Sequence, residues 1–474
     1  MIPTRAFLLP LLAGLAAAPQ VVRAGSISTA GYAGGPDSNA AKPNPAAIHY
    51  NPAAIAATEG VQVLVDGQFS FIRIDIEATR NEGIDPNTGE PYGIAQARVM
   101  VPNAVAGVTW KAIPDRLALG FAVTDALVGG GDYTAGEPDD EAPYESHQRY
   151  AGVISKIMTI HLTPAVGVTV IPGLHVGGAF KYILDSVTAI QASDPLGSEG
   201  LGPDGAYSAD TILEIHASGG HVGWSAGVFF DRFEKFQIGA SYIDNGTFTT
   251  EGDGSVDAPD MVGGGNPEAV VSFEGPLAPM VEAWARSQVT DTLEIGAGIE
   301  AQLWGTCCGA ADGDFVIGIT STDGDPIGAD PEDGILVQVA DTQYSPRRLE
   351  NMVNVYGSAG WQASDRLWLG LKGGYHPHAV PDYAVSATNL DFTSVGAQLG
   401  FRVRIAGDFE AGVAYSKYFL FDREITNSAW DVRDPDDPDY VDDRFSPKNP
   451  YKASANGLYS GLVDTVGVRL QAKF

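Results

Sequence analysis

The stretch Thr465-Val-Gly-Val-Arg-Leu-Gln-Ala-Lys-Phe474 alternates without a fault. Val466, Val468, Leu470, Ala472 and Phe474 fall on one face, and Thr465, Gly467, Arg469, Gln471 and Lys473 on the other. Successive side chains of a strand point to opposite sides, so this period of two means a strand with one apolar and one polar surface. The same split runs through Leu293–Leu303. There Leu293, Ile295, Ala297, Ile299, Ala301 and Leu303 oppose Glu294, Glu300 and Gln302. At Phe409–Tyr415 the apolar set is Phe409, Ala411, Val413 and Tyr415, with Glu410 opposite. In Val61–Ile76, Val61, Val63, Val65, Phe69 and Phe71 oppose Gln62, Asp66, Gln68 and Ser70. The apolar set then moves to Ile72, Ile74 and Ile76, which implies a bulge or the outer edge of an apolar belt.

Such runs come in pairs. Six hairpins close on tight turns at Ala112–Arg116, Ile171–Gly173, Asp231–Lys235, Thr290–Thr292, Ala363–Arg366 and Ile405–Asp408. Between hairpins lie longer loops rich in Gly, Pro and Asp. A lone strand before the first hairpin (Val61–Ile76) and one after the last (Tyr459–Phe474) bring the total to fourteen. A soluble β-sandwich also alternates, so no single strand decides. Short turns at one end, long loops at the other and an even strand count together predict an all-β, antiparallel transmembrane β-barrel, apolar side to lipid and polar side to the lumen. Trp110, Trp304, Trp361 and Tyr459 near strand ends fit interfacial girdles.

The rest of the chain agrees. Arg5, the apolar Ala6–Ala18 and Val22-Arg23-Ala24 read as a signal peptide over residues 1–24. Its apolar core is shorter than the ~20 residues of a spanning helix, and an exported chain then crosses a membrane only as a closed barrel. Residues 25–60 are small and polar, with Gly34-Gly35-Pro36, Asn44-Pro45-Ala46 and Asn51-Pro52-Ala53. Proline there dictates turns and short helical pieces, such as one turn at Ala53–Ala57. A plug inside a barrel has this character, which leaves 61–474 for the wall.

A net charge of −31 excludes a nucleic-acid partner, for want of a basic patch. The acid is densest at Asp132–Glu145, Asp312–Asp341 and Asp431–Asp443, all assigned to outer loops. There it solvates the rim, or, through Asp312-Gly313-Asp314 and Asp323-Gly324-Asp325, holds divalent cations. The final Glu of a full calcium loop is missing. The two cysteines, Cys307 and Cys308, are adjacent and offer at most a vicinal ring within one loop.

The stretch from Asn39-Ala40 to Tyr50-Asn51-Pro52-Ala53-Ala54-Ile55 resembles the Asn-Pro-Ala signature of the FadL type of outer-membrane transporters for long-chain fatty acids and hydrocarbons. Val101-Pro102-Asn103, the Ile113-Pro114-Asp115 turn and Leu119-Gly120-Phe121 look like that family's second and third strands. Gly374-Tyr375 to Pro381-Asp382, then Leu390-Asp391 and a strand to Arg402, looks like its late hairpin region, and Phe474 resembles an assembly signal. The resemblance implies a fourteen-stranded barrel in the outer membrane and a hatch over residues 25–60 carrying Asn51, Pro52 and Ala53. It also implies passage of fatty acids or hydrocarbons by diffusion, with lateral release at a kink in the third strand, here Leu117–Leu127. Gly120 and Gly129-Gly130-Gly131 are candidates for that irregularity. The second triplet, Asn44-Pro45-Ala46, and the acidity of the loops depart from the pattern.

The expected partners are a long-chain fatty acid or other hydrophobic small molecule and outer-membrane lipid, with no cofactor, no metal and no homo-oligomer. Lys181 and Lys372 face inward near mid-depth and are candidate carboxylate ligands. Arg402 and Arg469 face inward nearer the periplasm, and Glu294, Glu300 and Glu410 share the lumen as alternative partners for Lys181 and Lys372. Enzyme motifs are missing: there is no Gly-x-Ser-x-Gly elbow and no phosphate loop. His376-Pro377-His378 lies in an outer loop without a nearby Cys, which disfavours zinc. The rival reading is a cation-selective porin with an acidic mouth, which needs an open polar lumen and an inward-folded constriction loop.

Overall fold

The computed structural model describes residues 34–78, 94–133, 152–193, 211–233, 235–257, 265, 267–306, 315–322, 324, 342–345, 348–387, 389–428 and 455–474. The proposed leader, Cys307-Cys308 and nearly all of the three acid-rich stretches lie outside them.

Fourteen antiparallel wall strands close on themselves. They are β1 Val61–Ala78, β2 Ala95–Ile113, β3 Leu117–Asp132, β4 Ile154–Ile171, β5 Leu174–Ser193 and β6 Thr211–Phe233. β7 runs over Phe236–Asp244 and resumes over Thr247–Asp257, and β8 over Glu268–Pro276 and Met280–Gln288. β9 combines Leu293–Gln302 with Phe315–Ser321, and β10 Thr342–Ser345 with Met352–Gln362. β11 is Leu367–His376, β12 Ser394–Ala406, β13 Phe409–Leu420 with Arg423–Ile425, and β14 Gly457–Lys473. Each strand pairs with its sequence neighbours, and β1 closes on β14 from Gln62↔Lys473 to Ala78↔Gly457. All six tight turns lie between paired strands as the sequence predicts.

The faces follow the alternation. Val466 and Val468 of β14, Ile295 and Ile299 of β9, and Phe409 and Val413 of β13 are exposed on the outside. Thr465, Arg469, Glu300 and Gln302 are buried inside. β1 decides between the two readings of its shift. Its register on both neighbours runs unbroken through Phe71 and Ile72, so there is no bulge. Ile72, Ile74 and Ile76 face the lumen, while Arg73 and Glu77 take over the outer face where the apolar belt ends. Two aromatics also depart from the girdle. Tyr459 points inward and is fully buried, and Trp304 is half-buried and donates to Gln302 Oε1 at 2.9 Å. Trp110 and Trp361 are exposed outside, at 53% and 50%.

Residues 34–60 line the inside of this wall. Ahead of a short helix, α1 Ala47–Tyr50, Asn44 Oδ1 accepts from Ala47 N at 3.2 Å. Asn51 caps a 3-10 turn, Pro52–Ala57, by accepting from Ala53 N at 3.1 Å. Proline suits that start because its φ is preset and its missing N–H has no partner to lose. The Asn51 amide also donates to Ala40 O and to Val228 O of β6, each at 2.9 Å. The Asn-Pro-Ala triplet thus ties the inner segment both to itself and to the wall.

Close approach is possible because the facing wall positions are glycine. A Cβ at Gly177 or Gly167 would meet the backbone N of Ala53 or Ala56 at 2.5 and 2.8 Å. One at Gly227 would land on Asn51 Oδ1. Overpacking costs about 1–3 kcal/mol when neighbours can shift, and backbone cannot shift far. Gly227→Val is therefore expected to expel the Asn51 turn from the wall, seen as a lower unfolding temperature in detergent and a rise in single-channel conductance; an unchanged variant would show that the contact is dispensable.

Candidate functional site

The periplasmic half of the lumen is an ionic latch centred on Asp37. Its carboxylate takes Arg402 of β12 at 2.6 Å, Arg469 of β14 at 3.0 Å and Lys42 at 3.4 Å. Arg469 also donates to Gly34 O. Arg402 lies over the Trp368 ring at 4.1 Å and within 3.7 Å of Glu410. Burial pushes the Asp37 carboxyl up, but Arg402, Arg469 and Lys42 outweigh it and hold the group well below the usual carboxylate range. A second tie is Arg286 of β8. It pairs with Glu294 and donates to Ala41 O at 3.0 Å and Gln237 Oε1 at 2.8 Å. Glu282 accepts from Ala40 N at 3.2 Å.

Lys181 and Lys372 are both buried, at 1% exposure, but the structure does not bring them together. They stand on β5 and β11, with Tyr50 of α1 near Lys372 and the neighbouring His49 within reach of the Lys181 charge. Lys372 donates to Ser38 O at 3.1 Å. Its ammonium sits 5.0, 5.1 and 5.7 Å from the Trp284, Tyr356 and Tyr50 rings. Trp284 and Tyr356 are stacked at 5.7 Å, and His376 and Tyr418 continue the row. Lys372 is thus a pin between the aromatic wall and the turn that carries Asp37.

Lys181 is held differently. It donates to Asn245 Oδ1 at 3.0 Å. His221 bridges Asp185 at 2.6 Å and Asn245 O at 2.7 Å. Around it, His161 Nδ1, Asp185 Oδ1 and Thr250 Oγ1 are buried with no hydrogen-bond partner among the described residues. Buried polar atoms are nearly always satisfied, and these three, on β4, β5 and β7, depart from that rule. Burial first and the Lys181 charge second hold His49 down at about 3, so it is neutral at physiological pH.

His161, opposite Thr124 of β3, borders a break in the wall. β2 and β3 pair only from Ile113↔Leu117 to Val105↔Thr124. Above that, β2 continues on β1 alone to Ala95, and β3 on β4 alone to Asp132. The β3–β4 register shifts between Asp125 and Leu127. Thr124 Oγ1 and Asp125 Oδ1 are buried at this seam without partners among the described residues. The irregularity thus falls at the end of Leu117–Leu127 and not at Gly120, whose missing Cβ makes room for Ile48.

The inward acids exist as expected. Glu294 takes Arg286 and Lys42, Glu410 takes Arg402 and Arg404, and Glu300 accepts from Asn354 at 2.9 Å and Gln302 at 2.7 Å. Sequence reasoning missed Asp37, Lys42, Arg286 and Glu282. The first two sit in a non-periodic segment, where facing cannot be counted. His376 is buried at the top of β11, His378 pairs with Thr393 at 2.8 Å, and no group of three metal-ligating side chains occurs among the described residues.

Residues 11–306 match the model of the family described as outer membrane protein transport protein (OMPP1/FadL/TodX). The chain belongs to this family. It is an outer-membrane transport protein. Solved structures agree on the fold. A Pseudomonas aeruginosa FadL homologue superposes with a TM-score of 0.69 at 15% identity, over 96% of this chain and 100% of that one. The Pseudomonas putida toluene transporter TodX gives 0.63 at 12%, over 96% and 100%. The Ralstonia pickettii toluene transporter TbuX gives 0.57 at 14%, over 93% and 96%. The family and these relatives are transporters and channels rather than enzymes. No curated protein matches the chain.

Because its folded pKa is depressed, Asp37 contributes stability that is present above the unfolded value of about 3.9 and lost only as pH falls through the lower folded value. The latch therefore holds at neutral pH. Asp37→Asn is expected to break it there, leaving Arg469 buried without its carboxylate at a cost of roughly 3–5 kcal/mol. Conductance should rise at pH 7; a closed Asp37→Asn barrel would rule the latch out.

Proposed function

We propose that the protein carries long-chain fatty acids in preference to neutral hydrocarbons, and that the observation deciding this is the buried polar cluster around Lys181. An ammonium that spends one donor on Asn245, beside an unpartnered His161 nitrogen, suits a carboxylate head. A neutral ring would leave these groups unsatisfied, at about 1–3 kcal/mol each. An apolar tail adds roughly 0.8 kcal/mol per buried CH₂. Toluene is named for two relatives, and the aromatic row around Lys372 suits such rings as secondary cargo.

In this reading residues 1–24 are a leader, 25–60 a hatch and 61–474 the barrel. The hatch stays closed while Asp37 and Lys372 hold it, and the head group passes from Lys181 past Thr124 to the seam between β2 and β3 for lateral release. The porin alternative has less support, because the described residues of 34–57 are almost all buried within the lumen. The wall closes on itself through β1 and β14 without a second copy, which favours a monomer.

Lys181→Gln should lower oleate uptake about tenfold, the loss of one charge-assisted hydrogen bond of roughly 1.5 kcal/mol, and leave toluene uptake unchanged. Equal loss of both, or of neither, would remove Lys181 from the path.

A further inference from the structure

The loop between β11 and β12, residues 377–393, does not project outward. It folds into the mouth of the barrel and buries Ala379, Val380, Ala384, Val385, Leu390 and Phe392. Its side chains join one cluster with Ile76, Leu420, Ile425, Tyr459 and Val463 of the wall. The sequence reading placed His376-Pro377-His378 in an outer loop and expected an inward loop only of a porin; the strap is inward, and it lies above the plug rather than in place of it.

The strap crosses the bore. Tyr133, at the end of β3, donates to Ala387 O at 3.0 Å. Glu350 N, just before the longer part of β10 on the far side of the barrel, donates to Ala379 O at 2.8 Å. Ser428 Oγ, beyond β13, donates to Val385 O at 2.7 Å. The centre of its attachment is Arg423 of β13, whose side chain is 7% exposed. Arg423 donates to Asp391 O at 3.0 Å, to Asp391 Oδ1 at 3.2 Å, to Val380 O at 2.9 Å, and to Asp382 Oδ1. Asp391 also accepts from the backbone N–H groups of Ala379 and Val380.

A buried guanidinium beside an apolar wall is the recognition chemistry of an acid with a hydrocarbon tail. The strap supplies both halves itself, carboxylate from Asp391 and Asp382, apolar groups from Val380, Val385, Leu390 and Phe392. We propose that the strap is an internal surrogate ligand. It closes the outer mouth, occupies an outer amphiphile site whose anchor is Arg423, and is displaced when an incoming long-chain carboxylate takes Arg423 and the wall cluster. This rests on the fatty-acid reading of the lumen but concerns a different cation on a different strand. An empty site would leave the Arg423 charge buried and unpaired, at considerable cost. The surrogate therefore stays in place until a like-charged competitor arrives, and small polar solutes find the mouth shut.

The test uses the full-length protein purified in detergent, with Cys307→Ser and Cys308→Ser as background. Glu350→Cys with Ala379→Cys places a thiol pair across the strap's attachment to β10, so that oxidation clamps the strap and dithiothreitol releases it in the same folded molecules. Radiolabelled oleate binding should fall at least about tenfold on oxidation and recover on reduction. Equal binding in both states would overturn the proposal. Separately, replacing residues 379–391 by a short Gly-Ser linker should raise oleate affinity. Adding Arg423→Gln to that shortened protein should lower it about tenfold, the loss of one charge-assisted contact, with toluene binding unaltered. No loss of oleate affinity there would exclude Arg423 as the anchor. A clamp that blocks binding in a protein where Lys181→Gln has no effect would leave this site standing and refute the inner one.

Discussion

Lipid offers no hydrogen-bond partner to a peptide group, so every N–H and C=O of a membrane-crossing chain must be satisfied within the chain. Here the pairing of β1 with β14 turns a ladder of hairpins into a ring, parted only where β2 and β3 separate beyond Val105 and Thr124. The rest depends on this closure. It creates an inside, and the inside is where Asp37, Arg402, Arg469 and Lys372 meet although they come from the two ends of the sequence. It also fixes the register of every inward residue, since a one-residue slip would turn Arg469 to lipid.

Within the ring the chain solves a packing problem. A plug made of regular structure would have to bring a backbone against the pleated wall. Glycines on β4, β5 and β6 remove the side chains that would stand in the way of residues 51–56, and short capped turns let the segment follow the curved surface. The ionic contacts then hold it. Their donors are mostly arginines, which stay charged when buried and can serve several acceptors at once. The two lysines stand where the groups differ, one pinned to the plug and the other facing unpartnered polar atoms.

Much of this was legible in the sequence. Strict alternation in β9 and β14 gave the facing of Glu300 and Arg469, and the six short turns gave strand number and polarity, because both depend only on near neighbours. Asn51 was singled out by its triplet, and its two-way hydrogen bonding explains why Asn stands there. The partnership of Asp37 with Arg402 was not legible, since 365 residues separate them and Asp37 lies where no period tells inside from outside. The separation of Lys181 from Lys372 needed the strand order and the path of α1. Tyr459 looked like a girdle residue because it sits near a strand end, but its parity with Val463 and Thr465 places it inside. The inward course of residues 377–393 was hidden because a loop of small residues has no period; its buried Arg423 lies outside it, on β13.

The central claim is that a plugged barrel holds an amphiphile and does not conduct ions. It is tested most directly by mass spectrometry of lipid co-purified with the detergent-solubilised protein, with single-channel conductance recorded on the same sample. Bound long-chain acid with negligible conductance is the expected result. No bound lipid together with a steady, cation-selective current would contradict it and make the protein an acidic porin.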